Sequence, residues 1–80
     1  MYYVYVISSM YKKYIYVGIS NNVSRRFLEH NSGYNKTTRL YKPFQLLLIE
    51  NFDTRTLARK REKYLKSGCG KEWIKQTFCL

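Results

Sequence analysis

The sequence predicts one small α/β domain, and three observations carry that expectation. Two runs rich in β-branched and aromatic residues lie close together near the start, and a third apolar run of strand length lies mid-chain. Two segments bounded by helix-starting and helix-stopping residues separate and follow that third run. With 80 residues the chain has room for one core, since a domain of this size buries only about 60% of its unfolded surface.

Residues 2–7 (YYVYVI) and 14–19 (YIYVGI) flank a segment, Ser8 to Lys13, polar enough to turn, which gives a β-hairpin. With Tyr5 opposite Tyr16, Val4, Val6, Ile15 and Val17 share one face, and Tyr3, Tyr5, Tyr14, Tyr16 and Gly18 share the other. The hairpin is therefore aliphatic on one side and phenolic on the other. Asn21 or Asn22 caps a helix over Val23 to Asn31, which Ser32-Gly33 closes, Gly33 being suited to a left-handed stop. Residues 34–43 form a basic polar loop. Pro43 marks the start of Phe44 to Ile49, whose nearly continuous apolar run predicts a strand covered on both faces. Asp53 or Thr54 caps a second helix that runs through Lys66 and ends at Ser67-Gly68, with Leu57, Ala58, Arg61 and Leu65 as its inward stripe. Gly70 to Leu80, with Trp73, Ile74 and Phe78, reads as a short third helix. No repeat or linker interrupts the order, so residues 1–80 are expected to form a single domain.

Charge is the strongest functional signal. Fifteen Lys and Arg against five Asp and Glu give a formal net charge of +10, and a polyanion whose condensed counterions are released on binding is the natural partner for such a surface. Nucleic acid is the first expectation; acidic proteins, membrane surfaces or an unspecific basicity are the alternatives. No apolar run approaches the roughly 20 residues of a membrane helix, and the opening residues lack a signal peptide's charged segment and cleavage site. A cytoplasmic protein is expected. Cys69 and Cys79 are too few for a disulfide framework or a closed zinc site and read as ordinary thiols.

On the first helix, Asn22, Arg26 and His30 form one row beside the apolar row of Val23 and Phe27, while Arg25 faces Glu29 as a solvated pair. Arg26 could grip a phosphate bidentately, and His30 could donate to it or relay a proton; the plain alternative is an exposed arginine and a surface histidine. The second helix carries six basic residues and a single acid, Glu62, placed beside the inward stripe. That carboxylate either pairs with Arg59 or Lys66 or holds a hard divalent cation, and a lone carboxylate suits Mg²⁺, which keeps its waters. Lys36, Arg39 and Lys42 are phosphate contacts if their loop lines a DNA groove, and a solvated loop otherwise. Arg59 and Lys63 belong with them as candidate backbone contacts. Tyr5 and Tyr16 are either packing or chemistry.

Taken in order, Tyr3-Val4-Tyr5, Tyr16-Val17-Gly18, Arg26 ten residues after Tyr16, and Glu62 in a later basic helix resemble the GIY-YIG nuclease domain over at least Tyr2 to Lys66. The stretch from Tyr16 to Gly33, with Arg61-Glu62 later, looks most like small stand-alone bacterial members related to the nuclease half of the excision-repair incision protein. The resemblance implies a three-stranded antiparallel sheet flanked by helices. It also implies hydrolysis of DNA phosphodiesters, in repair or recombination, with one Mg²⁺ or Mn²⁺ and no organic cofactor. Tyr5 and Tyr16 match the tyrosines of the two motifs, Arg26 the phosphate-holding arginine and Glu62 the metal carboxylate; His30 falls where branches carry tyrosine or histidine. In that picture one phenol activates the attacking water, with Tyr5 expected as the base. A phenol of ordinary pKa near 10 needs a neighbouring cation for that role. Tyr3 stands for the glycine of the first motif, where Val4 replaces isoleucine, and Val17 replaces the isoleucine of the second, which spares both phenols and Gly18. The rival to a nuclease is a noncatalytic nucleic-acid-binding module of the same fold, and behind it a protein-interaction adaptor.

Overall fold

A computed structural model describes all residues, 1–80. Strands β1 (Tyr2–Ser9) and β2 (Ile15–Ser20) form the hairpin, followed by helix α1 (Val23–Ser32), one 3-10 turn at Arg39–Tyr41, strand β3 (Phe44–Phe52) and helices α2 (Arg55–Lys66) and α3 (Gly68–Phe78). The sheet is antiparallel, in the order β2-β1-β3, so the fold is the expected α+β one.

Local chemistry sets most of these boundaries. Asn22 accepts the Arg25 backbone N–H through Oδ1 at 3.1 Å and starts α1, while Gly33, at φ +87°, closes it in the left-handed region. Thr54 Oγ1 accepts from Leu57 N at 3.2 Å to start α2. Ser67 serves two helices: its N–H closes α2 on the Tyr64 carbonyl, and its hydroxyl accepts from Gly70 N at the start of α3. The third helix thus begins earlier than the expected Gly70, because Ser67 is a stop and a cap together.

Two cores lie on opposite faces of the sheet. Val4, Val6 and Val17 meet Ala58, Leu65 and Ile74 of α2 and α3 on one face. On the other, Tyr5, Ile7 and Phe44 pack with Tyr14, Tyr16, Val23, Phe27 and Tyr41. β1 alone sends fully buried side chains into both, Val4 and Val6 to one face and Tyr5 and Ile7 to the other.

Three expectations are corrected here. Tyr5 pairs with Gly18, and Ile7 with Tyr16, so the hairpin is two residues out of the expected register; the faces survive because side chains alternate with period 2. The strand covered on both faces is β1, not β3, which is an edge strand with Leu46 and Ile49 over 40% exposed. A bulge against Val6 and Ile7, where Leu48 and then Leu46 are the paired residues, lets both Leu47 and Leu48 reach the aliphatic core. Leu57 is exposed rather than inward, since the buried row of α2 runs from Ala58 to Leu65 and Leu57 stands about 100° away from it. No helix is long and apolar enough to cross a membrane.

Candidate active site

The phenolic face of the hairpin becomes a site because α1 lies against it. Helical spacing from the Asn22 cap brings His30 over the sheet, where it is 1% exposed, and its Nε2 lies 3.0 Å from the hydroxyl of the fully buried Tyr5. Its Nδ1 lies 2.8 Å from the hydroxyl of Thr38, also fully buried. Tyr5, His30 and Thr38 thus form a closed chain of hydrogen bonds without an unsatisfied buried side-chain atom. The half-buried Tyr16 completes the cluster, with its ring centre 4.7 Å from that of His30 and 6.2 Å from that of Tyr5.

Arg26 stands at the rim. Its guanidinium pairs with Glu29 at 3.2 Å, so Arg26, not Arg25, is the partner of Glu29; both arginines had suitable helical spacing, and the one beside the sheet takes the carboxylate. Proximity to the Tyr5 phenol is the largest influence raising the guanidinium pKa further. Burial, and then the Arg26 charge, hold the His30 imidazole below its ordinary value despite Glu29. His30 is therefore neutral at pH 7, a buried linker rather than a surface cation.

Burial, reinforced by the Tyr16 phenol, pushes Tyr5 up to about 12, and Arg26 offsets only part of this. That direction is opposite to what a base at neutral pH needs, so the expectation of Tyr5 as the base conflicts with its surroundings. Because the folded pKa lies above the ordinary 10, the contribution of Tyr5 to stability is full below pH 10 and lost as pH rises toward 12. Denaturant melts across that window are expected to show a loss on the order of 2 kcal/mol that the Tyr5→Phe protein lacks. Equal pH dependence in the two proteins would contradict the assignment.

Glu62 is not part of this network. It projects from α2, which packs on the aliphatic face, and its side chain is 16% exposed and paired with Lys66 at 3.2 Å. No three His, Cys, Asp or Glu side chains converge anywhere in the chain. Glu29 pairs with Arg26, and Glu50 binds Arg61 through both oxygens, at 2.8 and 3.2 Å. This donor set fits a hard, hydrated cation held by one carboxylate and by substrate oxygens, and does not fit a cage of protein ligands. Lys36, Arg39, Lys42, Arg59 and Lys63 are all exposed.

Sequence reasoning missed Thr38 and the turn that presents it. Asn35 Oδ1 accepts the backbone N–H groups of Thr37 and Thr38, at 2.9 and 3.3 Å, an Asx turn that the Asn-Lys-Thr-Thr spacing could have suggested. Asn31 fixes the loop's far end by accepting from Phe44 N at 2.6 Å.

The sequence profile described as the GIY-YIG catalytic domain matches residues 1–75. Among similar proteins, a UPF0213 protein of Haloquadratum walsbyi is 42% identical over 66 residues, covering 81% of this chain and 73% of its own. One from Cupriavidus necator is also 42% identical over 66 residues, with 81% and 70% covered. Another, from Staphylococcus saprophyticus, is 37% identical over 54 residues, 66% of each chain. No solved structure gives a significant match.

Proposed function

Because this chain belongs to the GIY-YIG catalytic-domain family, a family of nucleases, we propose that it is a divalent-metal-dependent endonuclease that hydrolyses DNA phosphodiesters, in repair or recombination. The observation that carries the reading is the convergence of Tyr5, Tyr16, Arg26 and His30 at one sheet face, with a single linked hydrogen-bond chain beneath.

Arg26 holds the scissile phosphate from the rim, giving up Glu29 for a bidentate contact. Tyr16, half-buried and so open to water, acts as a phenolate favoured by the neighbouring Arg26 charge. It takes the proton of the attacking water as the new P–O bond forms, and the departing oxygen takes a proton from solvent as the old bond breaks. Tyr5 stays a neutral phenol that His30, itself fixed by Thr38, holds in place. Glu62 would hold the metal, Mg²⁺ or Mn²⁺, which when bound stabilises negative charge on the phosphate. Lys36, Arg39, Lys42, Arg59 and Lys63 contact the DNA backbone.

Supercoiled plasmid and branched DNA, incubated with Mg²⁺, Mn²⁺ or chelator, test this reading directly. Nicking is expected with metal only, and Glu62→Ala is expected to lower it about a hundredfold while leaving DNA affinity intact. Salt-sensitive binding without nicking on either substrate would favour the noncatalytic module instead, and full activity of Glu62→Ala would remove the carboxylate from the scheme.

A further inference from the structure

At the hairpin end of the sheet, on the face covered by α3, a cleft of about 480 Å³ opens between the β1–β2 turn and α3. Lys12 and Lys13 line it from the turn, and Lys71 and Lys75 from the helix; no acidic side chain lines it. The protein's three ion pairs occupy Arg26, Arg61 and Lys66, so Lys13, Lys71 and Lys75 have no carboxylate partner. Lys71 and Lys75 are also four apart on one helix, a like-charge spacing that costs stability unless an anion offsets it.

Lys12 connects this cleft to the other side of the molecule. Its ammonium donates to the Leu40 carbonyl at 3.1 Å and sits 5.5 Å from the centre of the Tyr41 ring. Tyr41 stacks on Tyr14, another residue of the cleft, with ring centres 3.9 Å apart. Leu40 and Tyr41 belong to the loop that carries Arg39 and Lys42. Basic residues therefore continue from that loop, around the hairpin turn, to α3. A small anion needs only one pocket, whereas a band of this extent matches a polymer of phosphates.

We propose that the cleft of Lys13, Lys71 and Lys75 holds backbone phosphates of a nucleic-acid strand, carrying the contact surface past the hairpin turn to α3. The assignment rests on the DNA-binding part of the proposed function and is independent of cleavage.

Anisotropy of a fluorescent DNA duplex, read at several salt concentrations, tests it on the whole protein. Lys71→Gln with Lys75→Gln is expected to weaken binding about tenfold or more at low salt. Removing two phosphate contacts is also expected to reduce the slope of log K against log salt by about 1.8. Lys71→Arg with Lys75→Arg keeps the charge and is expected to bind like the parent. Unchanged affinity and slope in the glutamine variant would overturn the proposal. So would loss of tripolyphosphate binding with DNA affinity intact, which would give the cleft to a free polyphosphate. A protein that never nicks DNA but loses slope in the glutamine variant would sink the nuclease reading and sustain this one.

Discussion

Gly18→Ala is expected to reduce DNA cleavage on the order of a thousandfold while leaving a folded protein. A β-carbon at that position would lie 2.6 Å from the Tyr5 hydroxyl oxygen, 2.7 Å from Cζ and 2.9 Å from Cε1. The obstacle is the ring itself, and the ring is fully buried, so it has no free space into which to swing. Its movement breaks the 3.0 Å contact with His30 and disturbs Tyr16, which packs on both. Several positioned groups are lost together, and removing even one such group commonly costs a factor of 10² to 10³. Overpacking and the lost hydrogen bond should also destabilise the domain by about 2–4 kcal/mol, lowering Tm on the order of 10 °C. Nicking rates, thermal melts and the imidazole NMR signals of His30 check this result. Parent-like activity with an unshifted His30 signal would show that Tyr5 has room the structure does not give it.

Gly70→Ala is expected to be the most damaging single-methyl change in the chain. The added carbon would meet the backbone of α2, overlapping the Tyr64 carbonyl oxygen and lying 2.5 Å from Leu65 Cα and 2.8 Å from Tyr64 C. Backbone atoms of a helix cannot rotate aside, so the first turn of α3 must lift from α2 and take Ile74 out of the aliphatic core. A loss of at least about 3 kcal/mol follows, a large share of what a domain this small possesses. Gly68→Ala supplies the contrast. Nothing lies within 4 Å of its added carbon, so the gain in helix propensity should raise stability by up to about 1 kcal/mol. Urea melts of the two proteins should move in opposite directions, and a neutral Gly70→Ala would mean that α3 is not seated as described.

The features legible in the sequence were the local ones. Asn22, Gly33 and Thr54 act within a turn of their own positions, so spacing alone narrowed each cap to one or two residues, and Ser67 was legible as the stop of α2 but not as the cap of α3. Likewise, the division of the hairpin into aliphatic and phenolic faces needed only the alternation of a strand. The exact pairing did not follow, because shifts of two residues leave every side chain on its own face, and the deciding fact is that the Tyr5 ring fits only over a residue without a side chain. Nor could Phe44 to Ile49 reveal an edge strand, since an apolar run reads the same whether one neighbour covers it or two. Tyr5, Tyr16, Arg26, His30 and Glu62 were legible as a set through the family resemblance; the structure brings the first four together and leaves Glu62 on α2, paired with Lys66. Thr38 was not legible, because only the path of the 34–43 loop carries it to His30.

The Tyr5–Gly18 pairing also decides between two hairpins that the sequence pattern treats alike. A hairpin closed with Tyr5 opposite Tyr16 would still gather its valines and isoleucines on one side, and so would satisfy the same hydrophobic pattern. That pattern cannot reject the mistake. The missing side chain at Gly18 can, because the buried tyrosine ring occupies the space a β-carbon there would fill. Gly18 thus sets the native register apart from the hairpin shifted by two residues, which the hydrophobic pattern alone would accept equally.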